Sequence, residues 1–304
     1  MSISDRINKI NQIKKQMAVL PISKLEVAMK PATTNEDNIR KLLDADAYGY
    51  TSHLLRLIWQ CIDYSDAKYD GQKITLKNGA NKPTFDQFAS QISYYDREML
   101  FWSLARATFG DKLYTDHSKC SNDKCNSSFK TDIYLSKLYE HTDIPHWDRD
   151  EPFNEFLYPA TYIDEESKVK YTCHMGLLSL QDDLTLSENI PFDDAKFNVD
   201  NYGNPYTPLD QFRYSVKKME MESLLDKEFP DYFHDITEDR DEVLKAISVL
   251  NKSNIDDIVT QYYENVLKKY QLMFKLPRVC PKCNTNQELV VPLFAYFLHR
   301  FRSV

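Results

Sequence analysis

Glycine is scarce in this chain, with 6 residues in 304. Phosphate-binding loops depend on glycine because their backbone must turn tightly and approach the phosphate closely. The scarcity therefore argues against Gly-rich nucleotide-binding loops. The sequence also contains no Gly-x-Ser-x-Gly, no His-Glu-x-x-His and no phosphate-loop pattern. We therefore predict that the protein is not an enzyme and has no small-molecule substrate.

Long apolar runs and a basic excess are also missing. No run approaches the roughly 18 apolar residues that span a bilayer, and the N-terminus lacks the apolar stretch and cleavage site of a secretory signal. The 38 Lys and Arg are outnumbered by 46 Asp and Glu, which gives a net charge of −8. Nucleic-acid binding requires a basic surface. The sequence thus predicts an acidic intracellular protein without membrane or nucleic-acid partners.

The spacing of apolar residues predicts an α+β fold that is mostly helical, with small antiparallel sheets. Alternation over KLEVAMK predicts a strand at 24–30, and a hairpin is expected at 161–172. Helical spacing ends at Gly110, where glycine can take a left-handed cap conformation. The predicted helices are 2–18, 51–63, 84–108, 208–226, 238–250 and 254–270.

The N-terminal segment has the spacing of an amphipathic helix. Ile3, Ile7, Ile10 and Ile13 follow one another at three or four residues, and Met17 continues the stripe. One interpretation is a terminal helix packed on its own domain. The other is an arm that docks on another subunit. The sequence leaves both open.

The chain divides into segments that we expect to interweave as one domain. They are an N-terminal helix or arm (1–22), a helical region (23–110), the first half of a zinc ribbon (111–138), a loop-rich insert (139–206), a second helical region (207–272), and the second half of the ribbon with a C-terminal aromatic segment (273–304).

Two close cysteine pairs carry the clearest chemical signal. Cys120 and Cys125 form a Cys-x-x-x-x-Cys pair, Cys280 and Cys283 form a Cys-x-x-Cys pair, and each pair lies between strand-like segments. Zinc prefers four tetrahedral ligands, and cysteine turns flanked by strands are typical of a zinc ribbon. We predict that these four residues bind one structural zinc in a closed shell, although four thiolates suit iron as well. The alternative is two unrelated thiol pairs, including a redox pair at Cys280–Cys283, but the expected βαβ setting is missing.

Other candidate residues give weaker signals. Cys61 lies in an apolar helical stretch and is predicted to be a small buried side chain. Cys173 and His174 are adjacent on a predicted strand, so they should point to opposite faces and make a poor nucleophile–base pair. His117, three residues before Cys120, is predicted to be a solvent-facing strand residue rather than a ligand in place of one of the cysteines.

The stretch FWSLARATFGDKLYTDHSKCSNDKC resembles the baseplate hub proteins of T4-like phages, in which a helix ending near a glycine leads into a strand and a cysteine knuckle. The N-terminal stretch KLEVAMKPATTNEDNIRKLL is similar to the opening of that family. The first knuckle here is wider, and an extra N-terminal helix precedes the first strand. The residues that carry the resemblance are Leu104, Arg106, Gly110, Cys120, Cys125, Asp132, Ile133, Cys280, Cys283, Phe294, Phe297 and Phe301.

The resemblance implies a non-enzymatic component of a contractile phage tail. Such a protein would bind other hub, spike or tape-measure proteins, first in the host cytoplasm during assembly and then in the baseplate of the virion. Two other functions remain open from the residues alone. One is a zinc-ribbon nucleic-acid factor, such as a transcription accessory protein, and the other is a metal- or thiol-dependent enzyme.

Overall fold

The structure, a computed structural model, describes residues 2–33, 47–73, 82–188 and 208–293. Within these ranges the protein is α+β, and its strands form small antiparallel sheets, as the sequence predicted. Strands also occupy stretches where the apolar spacing predicted helix or loop. Phe294, Phe297 and Phe301, which carry part of the family resemblance, and the segment 34–46 lie outside the described ranges.

The helices have the following bounds. They are α1 (Ile3–Ile13), α2 (Ala47–Cys61), α3 (Phe85–Gln91), α4 (Arg97–Phe109), α5 (Leu135–His141), α6 (Leu180–Glu188), α7 (Pro208–Ser215), α8 (Arg240–Val249), α9 (Lys252–Tyr262) and α10 (Lys268–Tyr270). A 3₁₀ turn, Tyr94–Asp96, precedes α4, and a π-helical turn, Tyr263–Leu267, joins α9 to α10.

The strands pair in four sheets within the described part of the chain. β1 (Gln16–Leu20), β2 (Leu25–Met29), β3 (Ile62–Tyr69) and β4 (Gln72–Lys73) form one sheet in that order. The second sheet has the order β10-β9-β8-β7, built from β7 (Tyr158–Asp164), β8 (Val169–Met175), β9 (Val216–Ser223) and β10 (His234–Thr237). Two separate hairpins complete the set, β5 (Lys112–Lys119) with β6 (Ser128–Tyr134) and β11 (Lys275–Val279) with β12 (Asn286–Val290).

Two large apolar clusters form the core. The first contains side chains from the β1–β4 sheet, α2, α4 and α5, and it includes Leu276 at the base of the second hairpin. The second lies between the β7–β10 sheet and helices α8 and α9. Through Leu276 the first cluster connects directly to β11, the strand that leads to Cys280. A buried ion pair also joins α4 to α6, since Arg97 Nη1 lies 2.9 Å from Asp183 Oδ2.

The predicted helix at 84–108 is divided by a polar bend. After α3 the chain forms a bridge from Ser93 to Ser179, and the Ser93 amide donates a 2.8 Å hydrogen bond to Ser23 Oγ. The Tyr94 amide also donates to the carbonyl of Leu178. These distant partners replace the hydrogen bonds of a continuous helix, so a single long helix was a wrong prediction.

The predictions for the second half were wrong at two places. The predicted helix 208–226 ends at Ser215 and continues as β9, so 207–272 is not a purely helical region. Pairing with β8 and β10 on both sides stabilises this strand, and the local sequence does not show those partners. The insert 139–206 contains β7, β8 and α6 in its described part rather than loops alone. The predicted helix 254–270 is confirmed as α9 and α10, which the π-helical turn joins.

Elsewhere the strand and helix predictions are confirmed in outline. The predicted strand 24–30 is β2, the hairpin at 161–172 is β7–β8, and the helix at 238–250 is α8. The first helix begins with a Ser2–Asp5 capping box but ends at Ile13, and segment 1–22 also contains β1. Segment 23–110 likewise contains β2–β4 as well as helices.

Candidate metal centre

Two β-hairpins bring the four predicted ligands to their turns. Cys120 directly follows β5, and Cys280 directly follows β11, so each first cysteine stands at the end of a paired strand. The last pairs before the turns are Lys119 with Ser128 and Val279 with Asn286. The strand ladders therefore hold both turns in a defined orientation.

The two turns repeat the same local geometry. The Cys120 amide donates to the Ser127 carbonyl at 2.8 Å, and the Cys280 amide donates to the Thr285 carbonyl at 3.0 Å. Asn126 and Asn284, each directly after the second cysteine of its turn, have φ of 46° and 56°. Asparagine takes this left-handed conformation more readily than most residues. The equivalent bonds and backbone angles orient both cysteines of each pair toward the same side.

The four sulfur atoms converge on one point. All of them lie within 4.8 Å of one another. Cys120 Sγ is 3.5 Å from Cys283 Sγ, and Cys125 Sγ is 3.8 Å from Cys280 Sγ. Tetrahedral zinc with bonds of about 2.3 Å would place its sulfurs about 3.8 Å apart. The six cysteines all lie in the described ranges, and none of them is in a disulfide. The cluster is thus compatible with one four-coordinate metal ion.

Two hydroxyl groups lie within hydrogen-bond distance of the sulfurs. Ser127 Oγ lies 3.1 Å from Cys125 Sγ and 3.2 Å from Cys280 Sγ, so this hydroxyl contacts both hairpins. Thr285 Oγ1 lies 3.1 Å from Cys283 Sγ. Bonds of this kind favour the thiolate form, which is the form that binds metal. A hydroxyl proton donated to Cys280 or Cys283 therefore stabilises the thiolate that a metal ion requires.

The pKa values of Cys280, Cys283 and Cys120 differ because these sulfurs have different hydrogen-bond partners and neighbouring sulfurs. The Ser127 hydroxyl and nearby backbone amides lower the pKa of Cys280 to about 6 despite partial desolvation. Thr285 lowers the pKa of Cys283 through its hydroxyl and its amide. The Asn122 amide favours the Cys120 thiolate, but desolvation and the neighbouring sulfurs raise the pKa of Cys120 to about 12. A cation among four such sulfurs relieves this repulsion.

Polar contacts also join the two hairpins beside the sulfurs. The Ser121 amide donates to Gln287 Oε1 at 2.8 Å. Arg278 Nη1 on β11 lies 2.7 Å from Asp116 Oδ2 on β5, with both side chains largely buried. The hairpins therefore have contacts of their own, and a metal would reinforce an existing arrangement.

Burial differs between the members of the two pairs. Cys120 and Cys280 are buried, whereas Cys125 and Cys283 are partly exposed. The centre thus has an inner edge against the protein and an outer edge near solvent. A chelator could reach an ion from the outer edge without unfolding of the core.

The other candidates lie away from this centre. His117 is exposed on β5, and Cys61 is buried at the end of α2, as predicted. Burial raises the pKa of the Cys173 thiol to about 12. His174 points to the other face of β8, where its Nε2 lies 3.0 Å from Glu220 Oε1. Cys173 and His174 therefore form no nucleophile–base pair, as predicted.

Sequence reasoning missed the residues that support the sulfurs. Ser127, Thr285, Gln287 and Arg278 were not recognised as parts of the site. A local signal was present for the first two, because Cys-Asn-Ser and Cys-Asn-Thr occur at equivalent places in the two turns. No comparable signal marks Gln287 or Arg278, whose roles depend on how the hairpins face each other.

Among the described residues, no helix has both the length and the apolar character needed to cross a bilayer. No protein-family profile, no curated protein and no solved structure matches the chain.

Proposed function

We propose that the four cysteines bind one zinc ion and that the two hairpins form a split zinc ribbon. The observation that carries this proposal is the convergence of four sulfurs from turns far apart in the chain. Cys125 and Cys280 are separated by 155 positions. A metal between them closes a loop that contains the β7–β10 sheet and, among the described helices, α5 to α10. Its role is to hold these distant segments together.

The proposed ion is structural rather than catalytic. A catalytic zinc has three protein ligands and an open position for water, whereas four thiolates complete the tetrahedral shell. The four sulfurs, all within 4.8 Å of one another, supply such a complete shell. The binding free energy of such an ion is folding free energy, because the unfolded chain has no preformed site.

We further propose that the protein is a non-enzymatic assembly protein of a contractile phage tail and belongs to the baseplate hub. Support comes from the sequence resemblance around the two cysteine knuckles and from the acidic character of the chain. In this proposal the metal fixes the shape of the protein, and its surface binds other hub, spike or tape-measure proteins.

A zinc-ribbon nucleic-acid factor is the competing function. The two hairpins offer little positive charge for such a role, since residues 111–134 contain four Lys and four Asp. Residues 275–290 contain three cations and Glu288. Phosphate binding at a ribbon requires a concentrated basic surface. The charge of the hairpins therefore favours a structural role.

Replacement of Cys280 by serine tests the metal proposal. We expect about one zinc per wild-type chain by elemental analysis, and in Cys280→Ser a loss of metal with a melting temperature lower by about 5 °C or more. Cys61→Ala is the matched control, because Cys61 is buried away from the cluster and the variant should keep its metal. An unchanged melting temperature in Cys280→Ser would refute the structural role.

Isolation of the protein from its native lysate tests the hub proposal. We expect it to sediment with tail or baseplate intermediates and to be identified there together with known tail components. A lone monomer without tail proteins would contradict the proposal. Salt-sensitive binding to DNA or RNA by that monomer would instead support the competing function.

A further inference from the structure

The N-terminal helix α1 presents an uncovered apolar face. Its isoleucines Ile3, Ile7, Ile10 and Ile13 are exposed by 79%, 52%, 51% and 78%. A helix of 11 residues is marginal by itself in water, because helix nucleation is unfavourable and most helices gain stability from packing. The exposed stripe favours the interpretation of α1 as an arm, and the arm needs a partner surface to be stable.

Positive charge accompanies this apolar face. We call residues 2–15 the arm, and it contains four cations and Asp5, a net charge of +3 in a chain of net −8. Helical periodicity places Arg6 and Lys14 beside the isoleucines, and both are exposed. Lys15 is already paired with Asp63 at 2.5 Å. The arm therefore fits a surface that is both apolar and acidic.

The same chain carries a surface of that character. We call residues 224–242 the acidic surface, and they contain eight Asp or Glu and two cations, a net charge of −6. Four apolar side chains within this segment are exposed, although such residues are usually buried. They are Leu224 (44%), Leu225 (40%), Phe229 (57%) and Ile236 (53%).

The edge of a sheet lies within the acidic surface. β10 pairs only with β9 in the described part of the chain, so its other side has no strand partner there. Asp235 and Ile236 of β10 are exposed beside this edge, and the exposed loop residues Glu228 and Asp231 precede the strand. Exposed edges that carry apolar side chains are common sites of association.

We propose that the arm of one copy binds the acidic surface of a second copy. The isoleucines would cover Phe229 and Ile236, while Arg6 and Lys14 would face carboxylates such as Glu228 and Asp231. Opposite charges on the two surfaces, beside the apolar contact, set the orientation and the rate of association. This self-association is independent of the proposed metal and of the proposed place in a phage tail.

The contact would be heterologous, because arm and surface are different parts of the chain. Each bound copy leaves one arm and one acidic surface available for further copies. Assembly through such contacts gives a ring if the rotation closes and an open chain if it does not. The proposal thus predicts oligomers that grow with protein concentration or close at a fixed number.

Charge reversal with complementation tests the proposal, with oligomeric state measured by light scattering and sedimentation of the full chain. The arm variant carries Arg6→Glu and Lys14→Glu, and the surface variant carries Glu228→Lys and Asp231→Lys. Each variant alone should weaken association by about tenfold or more, because like charges then face each other. Mixing the two variants should restore association, since opposite charges face each other at every contact in the mixture.

Two further preparations separate charge from burial. The variant Ile7→Ser with Ile10→Ser should also weaken association, because it removes apolar side chains from the arm. About 1 M salt should weaken association of the wild type, because salt at this concentration screens charges that are more than about 3 Å apart. The exposed cations Lys137 and Lys252 lie outside both surfaces, so Lys137→Glu with Lys252→Glu is a matched control that should associate like the wild type.

A wild-type protein that stays monomeric at high micromolar concentration and low salt would overturn the proposal. So would oligomers that both reversed-charge variants leave unchanged. Binding of monomeric wild type to phosphatidylglycerol vesicles would assign the arm to an anionic lipid surface and would equally overturn the proposal.

Discussion

The side chain of Gln261 hydrogen bonds both main-chain polar groups of Thr161. Gln261 Nε2 donates to the Thr161 carbonyl at 2.7 Å, and the Thr161 amide donates to Gln261 Oε1 at 3.0 Å. Thr161 lies on β7, at one edge of the β7–β10 sheet, and Gln261 lies on α9. The carboxamide thus takes the place of a neighbouring strand and attaches the helix to the sheet edge.

Substitution of Gln261 by alanine should destabilise the protein by about 1–3 kcal/mol. The substitution removes the hydrogen-bond partners of the N–H and C=O of half-buried Thr161, and the protein loses stability when such groups are left unsatisfied. Urea unfolding measures the change. Gln271→Ala is a suitable control because that side chain is exposed. Equal stability of Gln261→Ala and Gln271→Ala would contradict a role for the paired hydrogen bonds.

Asp96 should make stability decrease as pH rises from about 4 to 6. Burial raises the pKa of this carboxyl from 3.8 to about 6, although it accepts hydrogen bonds from the Ile22 amide and from the amide and hydroxyl of Ser23. Between these values the native state binds more protons than the unfolded state, so stability falls with rising pH. Each pKa unit is worth about 1.4 kcal/mol, so the loss is on the order of 3 kcal/mol.

Comparison with Asp96→Asn measures this effect, because asparagine does not titrate. Urea unfolding across pH 4–6 should show a falling stability for the wild type relative to the variant. Asp148 does not interfere, since Lys269 and Tyr270 lower its pKa to about 2 and its contribution is lost only below the pH range of the experiment. Parallel curves for the two proteins would exclude a raised pKa of Asp96.

Asn126 and Asn284 should resist replacement by a β-branched residue. Both residues have positive φ directly after a cysteine, and this backbone conformation is strained by about 1–2 kcal/mol in residues other than glycine and asparagine. Asn284→Gly should keep wild-type stability, whereas Asn284→Val should lose about that amount and release metal faster to a chromogenic chelator. Asn286→Val on β12 is the control, because valine suits a strand. Equal release rates in both valine variants would contradict the argument.

Much of the cysteine centre was predictable because its signals are local. The spacing of Cys280 and Cys283, the strand-like residues on both sides, and turn residues such as Asn284 are all contained within a short stretch of sequence. The helix α8 and the strand β2 were predictable for the same reason, since side-chain periodicity follows from local backbone geometry. Here the pattern and the tertiary environment favoured the same structure.

The errors occurred where a distant partner changes the local preference. Residues 216–223 have spacing that also suits a helix, but β8 and β10 pair with them on both sides. The predicted long helix 84–108 is interrupted because Ser93 bonds to Ser23, 70 positions away. Propensities do not contain such partners, and tertiary hydrogen bonds outweigh them.

The sequence by itself determined the chemistry of this protein: which side chains can bind a metal, where the two cysteine turns lie, and how charge is divided between an N-terminal cationic arm and an acidic remainder. These properties depend on residue identity and short spacing. Only the tertiary structure decided that the two turns face each other with sulfurs 3.5 Å and 3.8 Å apart, and that Ser127 contacts both hairpins. The reason is that residues 155 positions apart meet through the packing of all the elements between them.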